Sequence, residues 1–357
     1  MEKRIIVIGA GIIGASIAWH LAKAGAKVSV LDGDEPGGLA TRYSWAWINA
    51  SWGNPHPYFR LRERAMQEWR QLDREVSGLS LNWCGGLIWD LEPSALDAYA
   101  REQSSWGYGI QRVSGGEIQR LEPNLRGVPD YAYHVAGEGM IEPVAATRAM
   151  LASAAALGAK IFAHTHVTRL LETNGRVIGV MTQEGPIHAT ETVVAAGAGA
   201  AELLASAGIT LKVKAPPGLL AHSRPAPRLL RGLVMTPGLH VRQTVEGRFV
   251  AGTDFAGGDP LDRADEMARD LHAKMQALVR GAEGIEFDFH TIGHRPTPAD
   301  GFPAIGRPGR REGLYVAVTH SGVTLAPVIG LFAARELLGG QRDPLLAPYH
   351  PDRPELA

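Results

Sequence analysis

The sequence predicts an α/β fold, in which a Rossmann-type domain is interleaved with an α+β domain built on a mostly antiparallel sheet. Two observations carry this. At the N-terminus an apolar run, Ile5-Ile6-Val7-Ile8, enters Gly9-Ala10-Gly11-Ile12-Ile13-Gly14. A helical segment from Ala15 to Ala24 follows, then Gly25 and a second apolar run, Val28-Ser29-Val30-Leu31, ending on Asp32. Further on, α/β patterning returns at 143–210 and 295–357, whereas 53–142 and 211–294 are richer in proline-broken strands and aromatics. One domain interrupted by another explains this better than two in tandem. We assign 1–52, 143–210 and 295–357 to the first domain, and 53–142 with 211–294 to the second.

The N-terminal unit reads as strand, glycine turn, helix, strand and acid, the dinucleotide fingerprint. Gly9 permits the tight turn, Gly11 lets the backbone approach a pyrophosphate, and Gly14 lets helix and sheet pack closely. The unpaired N–H groups of the helix start, around Ile12 and Ile13, face the phosphates. Asp32 is placed to accept both ribose hydroxyls of an adenosine and to repel a 2′-phosphate. A glycine-rich structural turn is the plainer alternative, and the motif alone does not choose between FAD and NAD.

Composition narrows the class. Of 357 residues, 45% are hydrophobic and 20% charged, as in an ordinary soluble enzyme. A net charge of −1 gives no electrostatic case for nucleic acid or an anionic membrane as partner. The one cysteine, Cys84, excludes an intrachain disulfide and a cysteine-based zinc or iron–sulfur site within one chain. No signal peptide is expected before the first strand, and no apolar run of about 18 residues is seen. A cytoplasmic protein without a membrane span is therefore expected; the oligomeric state is left open.

After Asp32 a turn-rich loop begins at Gly33. The segment from Leu39 to Trp52 mixes hydroxyls, Arg42 and the tryptophans Trp45, Trp47 and Trp52, which suits a loop lying along a large flat ligand or one packed by its own aromatics. Helical spacing runs from His56 to Val76, with Phe59, Met66, Trp69 and Leu72 on one side. Asn82 to Asp90 reads as a strand, Pro93 to Trp106 as a helix, and Ser114 to Leu121 as a short helix with a capping box. Pro143 to Leu157 is an alanine-rich helix ended by Gly158. Strands are expected at 160–163, 166–171, 177–182 and 192–196, with a hairpin at Asn174-Gly175. His164 and His166 then share one strand face, too few for a metal site without a third ligand. Beyond proline-broken strands from 211 to 252 come a helix (261–279), strands at 285–294 and 314–318, and a final helix from Val323 to Leu338.

Four motifs together resemble one family, the D-amino-acid-oxidase-like (DAO) FAD-dependent oxidoreductases of the glycine oxidase and sarcosine oxidase type, over nearly the whole chain. They are the glycine turn with Asp32, Ala40-Thr41-Arg42-x-Ser44, Val193-Val194-Ala195-Ala196-Gly197-Ala198, and the C-terminal pair. That pair, the most specific, is Arg295-Pro296-Thr297-Pro298-Ala299-Asp300-Gly301-Phe302-Pro303-Ala304-Ile305-Gly306 and Thr319-His320-Ser321-Gly322-Val323-Thr324-Leu325-Ala326-Pro327. The resemblance implies extended FAD, its AMP half anchored by the opening unit. It implies oxidation of a C–N bond in an amino acid or secondary amine by hydride transfer to flavin N5, giving an imine that hydrolyses. O2 or another electron acceptor then reoxidises the flavin.

The resemblance also implies roles. Ala40, Thr41, Arg42, Ser44, Ala196 and Gly197 contact FAD, as does the backbone of Val167. Ser321, Gly322, Val323 and Thr324 open the last helix toward the flavin pyrimidine, where reduction adds charge. Arg295 matches a substrate-carboxylate arginine, with a salt bridge or flavin contact as the other reading. His240 sits where the family has a substrate-facing tyrosine; it binds substrate, accepts the amine proton, or is a strand histidine bonded to backbone. Trp47, Asn49, Arg242 and His320 are further substrate-cavity candidates. No cysteine lies near the C-terminus and no histidine in 39–52, so FAD is expected to be non-covalent. Val250 stands where sarcosine oxidases keep an oxygen-activating lysine, which leaves open a dehydrogenase passing electrons to a quinone or partner protein. A non-catalytic dinucleotide-binding subunit and an NAD-dependent dehydrogenase are the rival classes.

Overall fold

The computed structural model describes residues 3–50, 53–253, 261–309 and 311–356; Trp52, expected in the 39–52 loop, lies outside them. Alternation along the first strand, Arg4–Ile8, sets the layers. Ile5 and Val7 pack with the first helix, Ile12–Lys23, and the last, Gly322–Gly339. Ile6 and Ile8 face the other way, onto Leu170, Val177 and Val180 of an antiparallel meander and onto Leu203 and Leu204. Apolar residues on both faces are what a buried parallel strand requires.

Among the described residues this sheet has six strands, in the order Ala304–Gly306, Leu314–Val318, Glu191–Val194, Arg4–Ile8, Lys27–Leu31 and Lys160–Phe162. All pairs are parallel except the first, which is antiparallel. The meander is Val167–Thr173, Arg176–Thr182 and Gly185–His188, and Asn174 and Gly175 turn it with positive φ, as Asn-Gly predicts. An eight-stranded sheet takes strands from two stretches far apart in sequence. Its order is Phe287–His294, Pro217–Ser223, Phe249–Gly252, Leu239–Gln243, Leu233–Thr236, Gly86–Ile88, Tyr131–Val135 and Ile110–Ser114. Its pairs are antiparallel apart from Leu233–Thr236 with Gly86–Ile88. Val234, Val241, Phe249 and Ala251 pack under the helix Ala264–Leu278, leaving the opposite face of these strands for the cavity.

The last helix passes very close to the first. A side chain at Gly330 would collide with Ser16 and His20. By length and mean hydropathy of 1.4 this helix is also apolar enough to cross a bilayer, but 72% of it is buried within the protein, as a core helix is.

Three local expectations are corrected. The run from Asn82 to Asp90 is not one strand: Gly85 takes φ +74, splitting it into Leu81–Asn82 and Gly86–Ile88, which join different sheets. His164 and His166 are not on a strand, because pairing ends at Phe162 and resumes at Val167, and His164 turns the chain at φ +53. Residues Leu39–Arg42 form one short helical turn rather than a loop.

Candidate active site

One cavity of about 930 Å³ runs from the glycine turn to the N-terminus of the last helix. At the turn, Gly9 has φ +101, and an added Cβ would lie 2.5 Å from Ala195 O. Gly14 is not on the cavity wall; its Cβ would collide with Gly9 O, so it serves the helix–strand crossing. Gly11 differs from both. A Cβ there would meet only Thr41 Oγ1 at 3.4 Å and Gly38 Cα at 4.0 Å, so the chain leaves the space before the helix start to a ligand. Thr41 Oγ1 accepts the Ile12 N–H at 3.2 Å, tying the 39–44 turn to that start. Asp32 Oδ2 accepts the Ala10 N–H at 2.6 Å and Oδ1 the Asp34 N–H at 3.0 Å, which fixes the carboxylate at the cavity edge. Ile12, Ile13, Gly33, Ala40, Arg42, Ser44, Val167, Ala196 and Gly197 line the same end. The Ser44 hydroxyl also holds the turn, accepting the Ala46 N–H at 3.0 Å.

The far end is polar and built from distant segments. Arg295 and His240 line it, with Trp45 and Trp47 between them and the 39–44 turn. His240 Nε2 lies 3.1 Å from Asp90 Oδ2, and the two side chains are 12% and 3% exposed. The Trp45 ring sits 5.8 Å from the His240 ring, and its indole donates to Val250 O at 3.2 Å. Trp47 donates to the buried Glu138 Oε2 at 2.8 Å, and Tyr108 donates to Glu138 Oε1 at 2.5 Å. Burial, then Glu138, pushes the Tyr108 hydroxyl well above its usual range. The Thr324 hydroxyl donates to Trp47 O at 3.1 Å, so the tryptophan loop is sewn to the last helix.

Ser321, the residue before that helix, takes left-handed backbone with φ +58. Arg62 holds it. The guanidinium donates to Ser321 Oγ at 2.8 Å, to Asn49 Oδ1 at 2.5 Å and to Asn49 O at 3.1 Å. Asn49 thus reaches the wall with both oxygens engaged. Burial, then Arg62 and Arg295, lowers His320 to about 4, so it stands neutral beside two cations at pH 7. Gly322, Val323 and Thr324 complete this wall. The Tyr58 hydroxyl, on the same wall, is buried with no hydrogen-bond partner among the described residues, as a group awaiting a ligand would be.

Arg242 does not join them. Its guanidinium lies off the cavity and donates to Glu142 Oε1 at 3.0 Å, which removes it from the substrate candidates. His164 instead meets Glu35 at 3.0 Å, and no cluster among the described residues is arranged to hold a metal. Arg62 and Asp90 went unread in the sequence. Arg62 left a signal: it falls between Phe59 and Met66 on the apolar face of the helix His56–Glu75. Asp90 left none, because its partner is 150 residues away and meets it only through sheet register.

Comparison with known proteins matches residues 4–336 to the DAO family, described as FAD dependent oxidoreductase. An uncharacterised oxidoreductase of Bacillus subtilis, YurR, is 31% identical over 379 residues, 98% of each chain. The glycine oxidase of Bacillus licheniformis is 29% identical over 355 residues, covering 95% of this chain and 94% of its own. Among solved structures, the L-proline dehydrogenase of P. horikoshii superposes with a TM-score of 0.89 at 25% identity, covering 98% of this chain and 97% of its own.

Proposed function

The chain belongs to the DAO family of FAD-dependent oxidoreductases, and from that premise we propose that it oxidises the C–N bond of a carboxylate-bearing amine or amino acid. One observation carries the substrate reading. The cavity that starts at the glycine turn is lined by both Arg295 and His240, the latter paired with Asp90, a cation for a carboxylate and a base for an amine in one cavity. We assign 1–52, 143–210 and 295–357 to holding FAD, and 53–142 with 211–294 to the substrate; the interleaved strands of the two large sheets support this division.

FAD fits the residues present. Asp32 would take the ribose, the helix start at Gly11 the pyrophosphate, and the Gly322–Thr324 turn the pyrimidine edge. We propose that it binds non-covalently, since Cys84 is the only cysteine. Bound FAD would supply the electron acceptor for removal of a hydride equivalent from the substrate α-carbon, and water would hydrolyse the resulting imine. The protein does the rest. Arg295 fixes the carboxylate by a two-bond fork and so orients the α-carbon. His240 takes the proton from the amine nitrogen, and Asp90 holds the ring and stabilises the charge it gains. Trp45 and Trp47 exclude water around that nitrogen.

The acceptor is a second question. Val250 is buried and apolar where an oxygen-activating lysine would stand, which supports a dehydrogenase passing electrons to a quinone or partner protein over an oxidase using O2. Turnover with and without air, in the presence of an artificial dye, separates the two. The function itself is tested by adding D-amino acids, N-methyl amino acids, opines and simple amines anaerobically and following loss of oxidised-flavin absorbance. No bleaching by any of them contradicts it.

A further inference from the structure

We propose that Gly218 is the seat of the Arg295 guanidinium and thereby sets this enzyme's affinity for carboxylates; the proposal rests on the carboxylate role given to Arg295 above. Gly218 lies in the strand Pro217–Ser223, directly opposite Gly293 in Phe287–His294. Residues opposed in an antiparallel pair point to the same face, so two glycines here open a trough in that face. Atoms from elsewhere fill it. A Cβ at Gly293 would lie 2.8 Å from Tyr43 Cβ and 3.0 Å from Tyr43 O. A Cβ at Gly218 would lie 2.5 Å from Arg295 Cζ and Nη2, and 2.7 Å from Nη1.

Three nearly equal distances place the guanidinium over the spot that a Gly218 side chain would take. Neither glycine has positive φ, so the backbone does not require glycine; the space does. The base of the arginine is anchored separately, because the Arg295 N–H continues the strand pairing to Pro216 O at 3.1 Å. Its head then folds back over the bare strand. Arg295 is on the cavity wall and Gly218 is not, so the glycine supports the fork from behind.

A planar fork pairs with a carboxylate only when its N–H edge is aimed at it. A methyl group at Gly218 would press on the far end of a flexible side chain, not on backbone. The guanidinium would yield and the strand would stay. Gly218→Ala therefore displaces the fork while leaving the fold in place.

The test uses FAD-loaded protein, with acetate as the carboxylate probe and acetamide as its uncharged match, binding being read from the perturbed flavin absorbance. Gly218→Ala is expected to weaken acetate by about tenfold or more, the loss of one charged hydrogen bond, and to leave acetamide, flavin content and melting temperature unchanged. In an Arg295→Ala background the same substitution is expected to add nothing. Equal acetate affinity in wild type and Gly218→Ala overturns the proposal, as does an equal loss in both backgrounds. If Gly218→Ala does not load FAD, the double variant decides: loading restored by removing the arginine supports the clash, and loading still absent refutes it. A wild type indifferent to acetate contradicts instead the carboxylate reading of Arg295.

Discussion

The indole N–H of Trp69 donates to the carbonyl of Val323 at 3.0 Å. Four residues beyond Val323 comes Pro327, inside the last helix and without an N–H. The helix therefore leaves the Val323 carbonyl without its usual donor, and a fully buried tryptophan from His56–Glu75 supplies one. The helix start that faces the cavity is fixed from outside its own segment. Trp69→Phe keeps most of the volume and removes the donor. Stability in urea is expected to fall by about 1–3 kcal/mol, and Pro327→Ala is expected to recover part of that by restoring a helical amide. Unchanged urea midpoints would remove Trp69 from this role.

Asp90→Asn preserves shape but removes the charge that holds His240 and stabilises its protonated form. The anaerobic rate of flavin reduction is expected to fall by about a hundredfold, the low end for loss of a base, while substrate affinity and flavin content hold. A rate equal to wild type would show that His240 takes no proton.

Arg295→Ala removes the fork outright. KM for the carboxylate-bearing substrate is expected to rise by roughly tenfold to over a hundredfold, from the ~1.5–3 kcal/mol of a charged hydrogen bond. Steady-state kinetics against a carboxylate-free amine of the same size serves as control. An unchanged KM on the acid rules out the assigned role.

Stability is expected to be acid-sensitive. Burial lowers His20, His222 and His320 each to about 4, with Arg242 and Arg248 adding to the effect at His222. An unfolded histidine titrates near 6.5, so between about pH 6.5 and 4 the unfolded chain binds protons that the folded chain refuses. Their contribution is complete above that range and is lost as pH falls through it, at up to about 1.4 kcal/mol per pH unit for each histidine. Urea unfolding at pH 7.5, 6 and 5 measures the slope, and His222→Asn is expected to make it shallower. A flat profile contradicts the assignment.

The sequence carried the fold wherever a local rule was at work. The glycine turn, the Ser114–Glu117 capping box and the Asn174-Gly175 hairpin each depend on neighbours a few residues apart, and each appears as read. Helices with strong spacing, such as His56–Glu75, were legible to within a residue or two. What was not legible depended on register between distant strands. The Asp90 partner of His240 and the seat of Arg295 on Gly218 are set by which residues the eight-stranded sheet brings together, and the Glu142 partner of Arg242 comes from the start of the helix Pro143–Ala156, beyond that sheet. The resemblance offers both His240 and Arg242 as cavity candidates, but of the two only His240 lines the cavity.

The most direct measurement mixes FAD-loaded protein anaerobically with carboxylate-bearing amines and follows the oxidised-flavin band. The expected result is bleaching by at least one of them, with release of the matching oxo acid, and little or no bleaching by the amine that lacks the carboxylate. Flavin that dithionite reduces but no amine in the panel reduces would contradict amine oxidation as the function of this chain.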